Sequence, residues 1–132
     1  MGSLRIDVKN IMVKDIITVG KDRTVASAKS LMNYFNLDAL IITNEEEPIG
    51  LVTSSDIQKR VLEKKLDPHL TTVGEINSKP LIWTRYNTTL TEVAEIMEEK
   101  EVNKIPIFGN LSNGPILLGL YVHNKKEVLI EN

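Results

Sequence analysis

The chain contains no cysteine. Disulfides, thiolate metal sites and cysteine nucleophiles are therefore excluded, a composition compatible with a reducing cytoplasm, where the protein is expected. No apolar run approaches the length that crosses a bilayer; the longest, such as "IPIF" and "PILLGLYV", have strand length, so no membrane association is expected. Charge of neither sign is in excess: 16 Lys and Arg against 18 Asp and Glu give −2. That balance argues against a nucleic-acid partner and against a disordered acidic tail. The opening "MGSLRIDVKN" lacks the basic-then-apolar layout of a signal peptide, and Ile6 stands where an acylation signal wants Ser or Thr.

Catalytic signatures are missing too. There is no G-x-x-x-x-G-K-[ST] loop, no G-x-G-x-x-G and no G-x-S-x-G elbow. The two histidines, His69 and His123, form no helical pair, so no metal site is expected. Ser54 and Ser55 have no His partner near them in sequence. No residue set supports turnover, and the chain reads as a non-enzyme.

What is present is an ordinary globular composition, 42% apolar and 26% charged over 132 residues. This is enough for one compact domain, or for two small halves sharing a core. Self-comparison favours the halves. A shift of 65 residues places Val8 on Val73, Ile11 on Ile76, Lys14 on Lys79, Thr24 on Thr89, Met32 on Met97 and Ile42 on Ile107. Apolar character persists where identity does not, as at Leu31 with Ile96, Leu37 with Val102 and Leu40 with Ile105. The offset then becomes 69, because "FGNLSNGPILL", between Ile107 and Gly119, is four residues longer than "TNEEEPI", between Ile42 and Gly50, and it holds at Gly50/Gly119 and Leu51/Leu120.

Each copy follows one plan. A short apolar-spaced segment (Val8 to Met12; Val73 to Ile76) leads into a strand-like stretch, "DIITV" or "PLIWT". An amphipathic helix follows, with Thr24 and Thr89 as N-caps and apolar residues at spacings of three and four. Two strands come next, Ala39 to Thr43 and Ile49 to Thr53 in copy one, Lys104 to Phe108 and Ile116 to Val122 in copy two. Copy one closes with a helix carrying Ile57, Val61 and Leu62, which Asp67-Pro68 should stop; copy two ends in "KKEVLIEN", at best two turns. The fold class is α/β in the α+β sense: two β-α-β-β-α units over 8–64 and 73–130, joined by a linker at 65–72. Each sheet leaves one apolar face, and packing the two sheet to sheet, with pseudo-two-fold symmetry, would bury both.

This duplicated order, with "GLVTSSDI" closing the first unit, "SLM" in the first helix and "IPIF" in the second copy, resembles the paired CBS domain (named after cystathionine β-synthase). The resemblance covers roughly Val8 to Val128, and the chain looks like a stand-alone pair. It implies adenosine-containing ligands (AMP, ADP, ATP, or S-adenosylmethionine) bound in clefts between the copies, no required cofactor, and dimerisation into a flat disc.

Asp56 lies three residues after Thr53, in the first turn of a helix. A carboxylate there can accept two hydrogen bonds from a ribose diol, each contributing ~1.5–3 kcal/mol. Thr53 and the helix-start amides of Ser54 and Ser55 would seat a phosphate. "TSSD" is equally the signature of a capped helix start, and the residues alone leave both roles open. The resemblance implies a composite pocket: Thr53, Ser55, Asp56 and Leu51 from copy one, with Thr88, Val93, Val102, Asn103 and Ile105 from copy two. Of these, Thr88 and Asn103 would hydrogen-bond the ligand, while Leu51, Val93, Val102 and Ile105 would form an apolar slot for a purine or serve only as core. The twin cleft would draw Val122, Asn124 and Lys125 together with Arg23, Ala28, Leu37 and Asp38. A valine donates nothing to phosphate and a lysine accepts nothing from a diol, so one competent site per chain is expected. Trp83, the single tryptophan, reads as a packing residue at a copy–copy or dimer interface.

The implied function is a regulatory module that senses an adenine nucleotide and passes its state to an unidentified partner protein. The alternative is a ligand-free pair serving as a dimerisation scaffold, supported by the loss of Thr and Asp in copy two.

Overall fold

The structure is a computed structural model that describes residues 5–77 and 80–123. By their contacts these residues form two compact units, Ile16–Leu81 and Met1–Asp15 with Ile82–Asn132.

In the unit Ile16–Leu81, β1 (Thr18–Gly20) leads to α1 (Val25–Phe35), then β2 (Ala39–Asn44) and β3 (Glu47–Thr53). Thr24 caps α1 as expected, its hydroxyl accepting the Ser27 N–H. Asn36 closes the helix in the left-handed region (φ 55), where an Asn side chain is better tolerated than most. The chain then returns as β2, parallel to β1 and antiparallel to β3, so the sheet order is β1-β2-β3. A two-residue turn, Glu45-Glu46, joins β2 to β3 with both residues at positive φ (49 and 73). That is the geometry of a tight hairpin turn, which normally recruits Asn and Gly.

After β3 the chain turns directly into α2 (Ser54–Ile57), which continues as a π-helical turn, Gln58–Leu62. Apolar spacing accounts for the packing. Val25, Ala28 and Met32 of α1 and Ile57 and Val61 of the second helical segment meet Val19, Leu40, Ile42 and Val52 of the sheet in one core. A short helix, α3 (Val73–Ile76), belongs to the same unit: its Val73 is fully buried there, and the Arg60 guanidinium donates to the Ile76 carbonyl at 2.8 Å.

The second unit repeats the design. It contains β4 (Thr84–Arg85), α4 (Leu90–Lys100), β5 (Lys104–Leu111) and β6 (Gly114–Val122), with sheet order β4-β5-β6. Thr89 caps α4 by accepting the Glu92 N–H. Both sheets carry a register break at the repeat-equivalent place, between Ile42 and Thr43 and between Ile107 and Phe108. Two differences from the sequence expectation stand out. The first strands are shorter and start later than "DIITV" and "PLIWT", and β5 and β6 extend into "GNLSNG", with Gly114 at φ 128. The last helix expected in "KKEVLIEN" lies outside the described residues.

The spatial units are not the sequence copies. Val8, from the segment that opens copy one, is fully buried with Val93, Met97, Ile105, Ile107 and Tyr121 of copy two. Its N–H donates to the Thr88 carbonyl at 2.9 Å, and the Leu90 N–H donates to the Ile6 carbonyl at 2.8 Å. Val13 and Leu120 exchange backbone hydrogen bonds of 2.7 and 2.8 Å, and this approach is so close that a Cβ on Gly119 would stand 2.6 Å from the Val13 oxygen. In the other unit the segment opening copy two does the same to copy one: the Val73 N–H donates to the Arg23 carbonyl at 2.9 Å and the Val25 N–H to the Thr71 carbonyl at 2.8 Å. Each copy's opening segment thus completes the unit built on the other copy. Single-copy periodicity carries no trace of this exchange, because the contacts are remote in sequence.

Candidate functional site

The corner at Thr53–Asp56 is built by the end of β3 running into α2. The Thr53 hydroxyl accepts the Asp56 N–H at 3.1 Å, and the Asp56 carboxylate, through Oδ2, accepts the Thr53 N–H at 2.9 Å. This is a complete capping box, made with Asp where Glu or Gln is usual. The Ser54 N–H donates to the Asp38 carbonyl at 3.1 Å. A phosphate seat on the amides of Ser54 and Ser55 therefore needs correction: Ser54 spends its N–H on Asp38, and only the Ser55 amide is left for a ligand. The reason is tertiary, since the start of β2 comes up beside the helix start and supplies a carbonyl. The cap role is filled, and it leaves the second carboxylate oxygen, Oδ1, outside the box. Thr53 and Asp56 are half-buried, Ser54 and Ser55 exposed, and Leu51 half-buried in β3 opposite Ile41.

As far as the described residues run, to His123, the twin corner repeats the backbone of the first. The His123 N–H donates to the Asn103 carbonyl at 2.8 Å, repeating the bond from Ser54 to Asp38. Lys104 pairs with Val122 as Ala39 pairs with Thr53. Val122 occupies the place of Thr53 and is half-buried, and no hydroxyl is present to cap or to bind. The His123 Nδ1 is buried and has no hydrogen-bond partner among the described residues. Asn124 and Lys125, read from sequence as parts of this corner, lie outside the described residues.

The remaining candidates divide by burial. Val93 and Ile105 are fully buried in the core of their unit, with no surface to present to a purine, so packing is the role they fill. Val102 is partly buried against the same core, and Asn103 is exposed. Thr88 is half-buried and its hydroxyl shares a 2.7 Å hydrogen bond with that of Thr84. Among the twin-cleft residues, Arg23 is exposed with its guanidinium on the Ser27 hydroxyl at 2.9 Å. Asp38 is exposed, Leu37 is half-buried, and Ala28 is wholly inside the core. Trp83 is 48% exposed and meets the Phe108 ring edge-on, centroids 5.4 Å apart.

Sequence reasoning missed one neighbour of the first corner. The Asn77 side chain packs over Gly50 so closely that a Cβ there would collide with it, and its amide reaches the Ile49 carbonyl at 3.5 Å. The glycine shared by both copies was the available signal. Among the described residues no group of three or more His, Asp or Glu is arranged to hold a metal ion, and no helix is long and apolar enough to cross a membrane.

The family model described as CBS domain matches residues 8–63 and 73–120. Hypoxic response protein 1 of Mycobacterium tuberculosis is 28% identical over 100 residues, covering 75% of this chain and 70% of its own. The CBS domain-containing protein YhcV of Bacillus subtilis is also 28% identical over 100 residues, covering 76% and 71%. Among solved structures, an uncharacterized conserved protein from Pyrococcus horikoshii superposes with a TM-score of 0.78 at 27% identity, covering 98% of this chain and 93% of its own. A hexameric CBS-CP12 protein from bloom-forming cyanobacteria gives 0.80 at 26% identity, covering 99% and 74%.

Proposed function

The chain belongs to the CBS-domain family, and from that premise we propose that it is a regulatory module binding an adenine nucleotide at the Thr53–Asp56 corner and passing its state to a partner protein. The family is generally regulatory and ligand-binding, and the chain is a CBS-domain pair. AMP, ADP and ATP are the candidate ligands, with S-adenosylmethionine a further one. The protein acts in the cytoplasm as a homodimer.

One observation carries the reading. The two corners share a backbone hydrogen bond and strand register, yet only the first has a hydroxyl and a carboxylate. A residue pair needed only for the fold would be expected at both. Asp56 Oδ1 accepts a ribose hydroxyl, and Ser55 offers its amide and hydroxyl to phosphate. No step of this function requires turnover.

Isothermal titration calorimetry with each of the four ligands tests it. Sub-millimolar binding of at least one, weakened at least tenfold by Asp56→Asn, is the expected result. Absence of binding by all four refutes it. A second reading, a ligand-free dimerisation scaffold, is favoured by the capping box, which already employs Thr53 and Asp56.

A further inference from the structure

The Thr53–Asp56 corner stands on a short support. The helix α2 runs for four residues before the π-helical turn Gln58–Leu62, after which the Glu63 N–H reaches back to the Gln58 carbonyl at 2.9 Å. A helical segment of this length does not hold its shape alone, and wide turns of this kind are rare and recur at functional sites. Tertiary contacts therefore set the geometry of the corner. Ile57 and Val61 anchor the segment in the core. Arg60, half-buried beside Val61, donates from its guanidinium to the Ile76 carbonyl at 2.8 Å. Ile76 is buried and ends α3, so its carbonyl has no acceptor role inside that helix and takes its donor from Arg60. The next residue, Asn77, holds the other side of the corner: its side chain lies over Gly50, and its amide reaches the Ile49 carbonyl at 3.5 Å. Neighbouring residues at the end of α3 thus hold both the strand that enters the corner and the helix that leaves it. The other end of α3 is pinned through the Val73 and Gly74 N–H groups, which donate to the Arg23 and Lys21 carbonyls at 2.9 Å each.

We propose that Arg60 is a positioning residue that couples the ligand corner to α3, the segment that opens copy two. The proposal rests on the nucleotide reading above and names what regulates that site. With α3 in place the corner is already ordered, so a ligand bonding to Asp56 and Ser55 loses little entropy in fixing it. With α3 detached, the ligand must order both. The coupling is reciprocal: nucleotide at the corner holds α3 down, and detachment of α3 weakens the nucleotide by the same factor.

Amide-resolved hydrogen exchange of wild type and Arg60→Met, with and without AMP, ADP, ATP or S-adenosylmethionine, tests the coupling. Methionine keeps an apolar stem and removes the donors. In wild type the bound nucleotide is expected to slow exchange at Val73, Gly74 and Asn77 by about threefold or more. In Arg60→Met that slowing is lost, and the dissociation constant rises about threefold to tenfold. Arg60→Lys, which returns a cation and a donor, recovers part of both. A merely structural arginine would lower the melting temperature of the variant and leave the ligand-induced slowing intact, and that result overturns the coupling. Wild type that binds nucleotide with unchanged exchange at these amides also overturns it, while the nucleotide reading stands, and that comparison needs no variant to fold. Failure of all four ligands to bind wild type overturns both.

Discussion

Replacing Asp56 separates the two roles that its position allows. In Asp56→Ala the Thr53 N–H, half-buried and donating at 2.9 Å, loses its acceptor. An unmet backbone donor costs about 1–3 kcal/mol where it is fully buried, and the lower part of that range applies to a half-buried group. Loss of a carboxylate near the positive end of a helix adds about 0.3–1 kcal/mol. The sum is about 1.5–2 kcal/mol. For a chain of 132 residues the unfolding entropy is about 0.28 kcal/mol/K, so the melting temperature falls by about 5–7 °C. Asp56→Asn keeps an acceptor oxygen for Thr53 and loses only the charge, so its melting temperature falls by about 1–4 °C. The nucleotide response follows a different order. Both variants lose the charged acceptor for the ribose, so both lose the ligand-induced rise in melting temperature expected of wild type. Scanning calorimetry of the three proteins, with and without AMP or ATP, is the assay. An Asn variant that melts like the Ala variant refutes the capping argument, and one that keeps the full ligand-induced rise refutes the ligand role.

Other consequences are equally accessible. Glu46 sits at φ 73 in the β2–β3 turn, where glycine is at ease, so Glu46→Gly raises stability by about 1 kcal/mol in urea denaturation; destabilisation would refute the turn assignment. Gly119→Ala forces a Cβ against the Val13 carbonyl, whereas Gly50→Ala meets only the Asn77 side chain, which can swing away. The first therefore destabilises more than the second, and urea midpoints in the opposite order would contradict the docking of Val13. Ile105 is fully buried, so Ile105→Ala costs about 2–5 kcal/mol of stability; a variant with wild-type stability and weakened nucleotide binding would return Ile105 to the site.

The sequence made the repeat visible because apolar residues at spacings of three and four and capping threonines are local features. Val25, Ala28 and Met32 announce α1, and Thr89 announces α4, with no knowledge of the rest of the chain. What stayed hidden is non-local. The Ser54 amide reads as available until the Asp38 carbonyl, sixteen residues earlier, arrives beside it. Val8 and Val73 read as the opening of their own copies, and only the fold reveals that each completes the opposite one. Val93 and Ile105 illustrate the converse: spacing alone left them between core and pocket, and burial resolves them as core. The polar difference between the corners, Thr53 and Asp56 against Val122, was legible throughout, because it is a difference between two copies of one motif.

The central claim is that this difference serves a ligand. Calorimetric titration of wild type and of Asp56→Asn with AMP, ADP, ATP and S-adenosylmethionine tests it most directly. The account predicts one site per chain, sub-millimolar for at least one of the four and at least tenfold weaker in the variant. Equal affinity in the two proteins, or no heat with any of the four ligands, would contradict it.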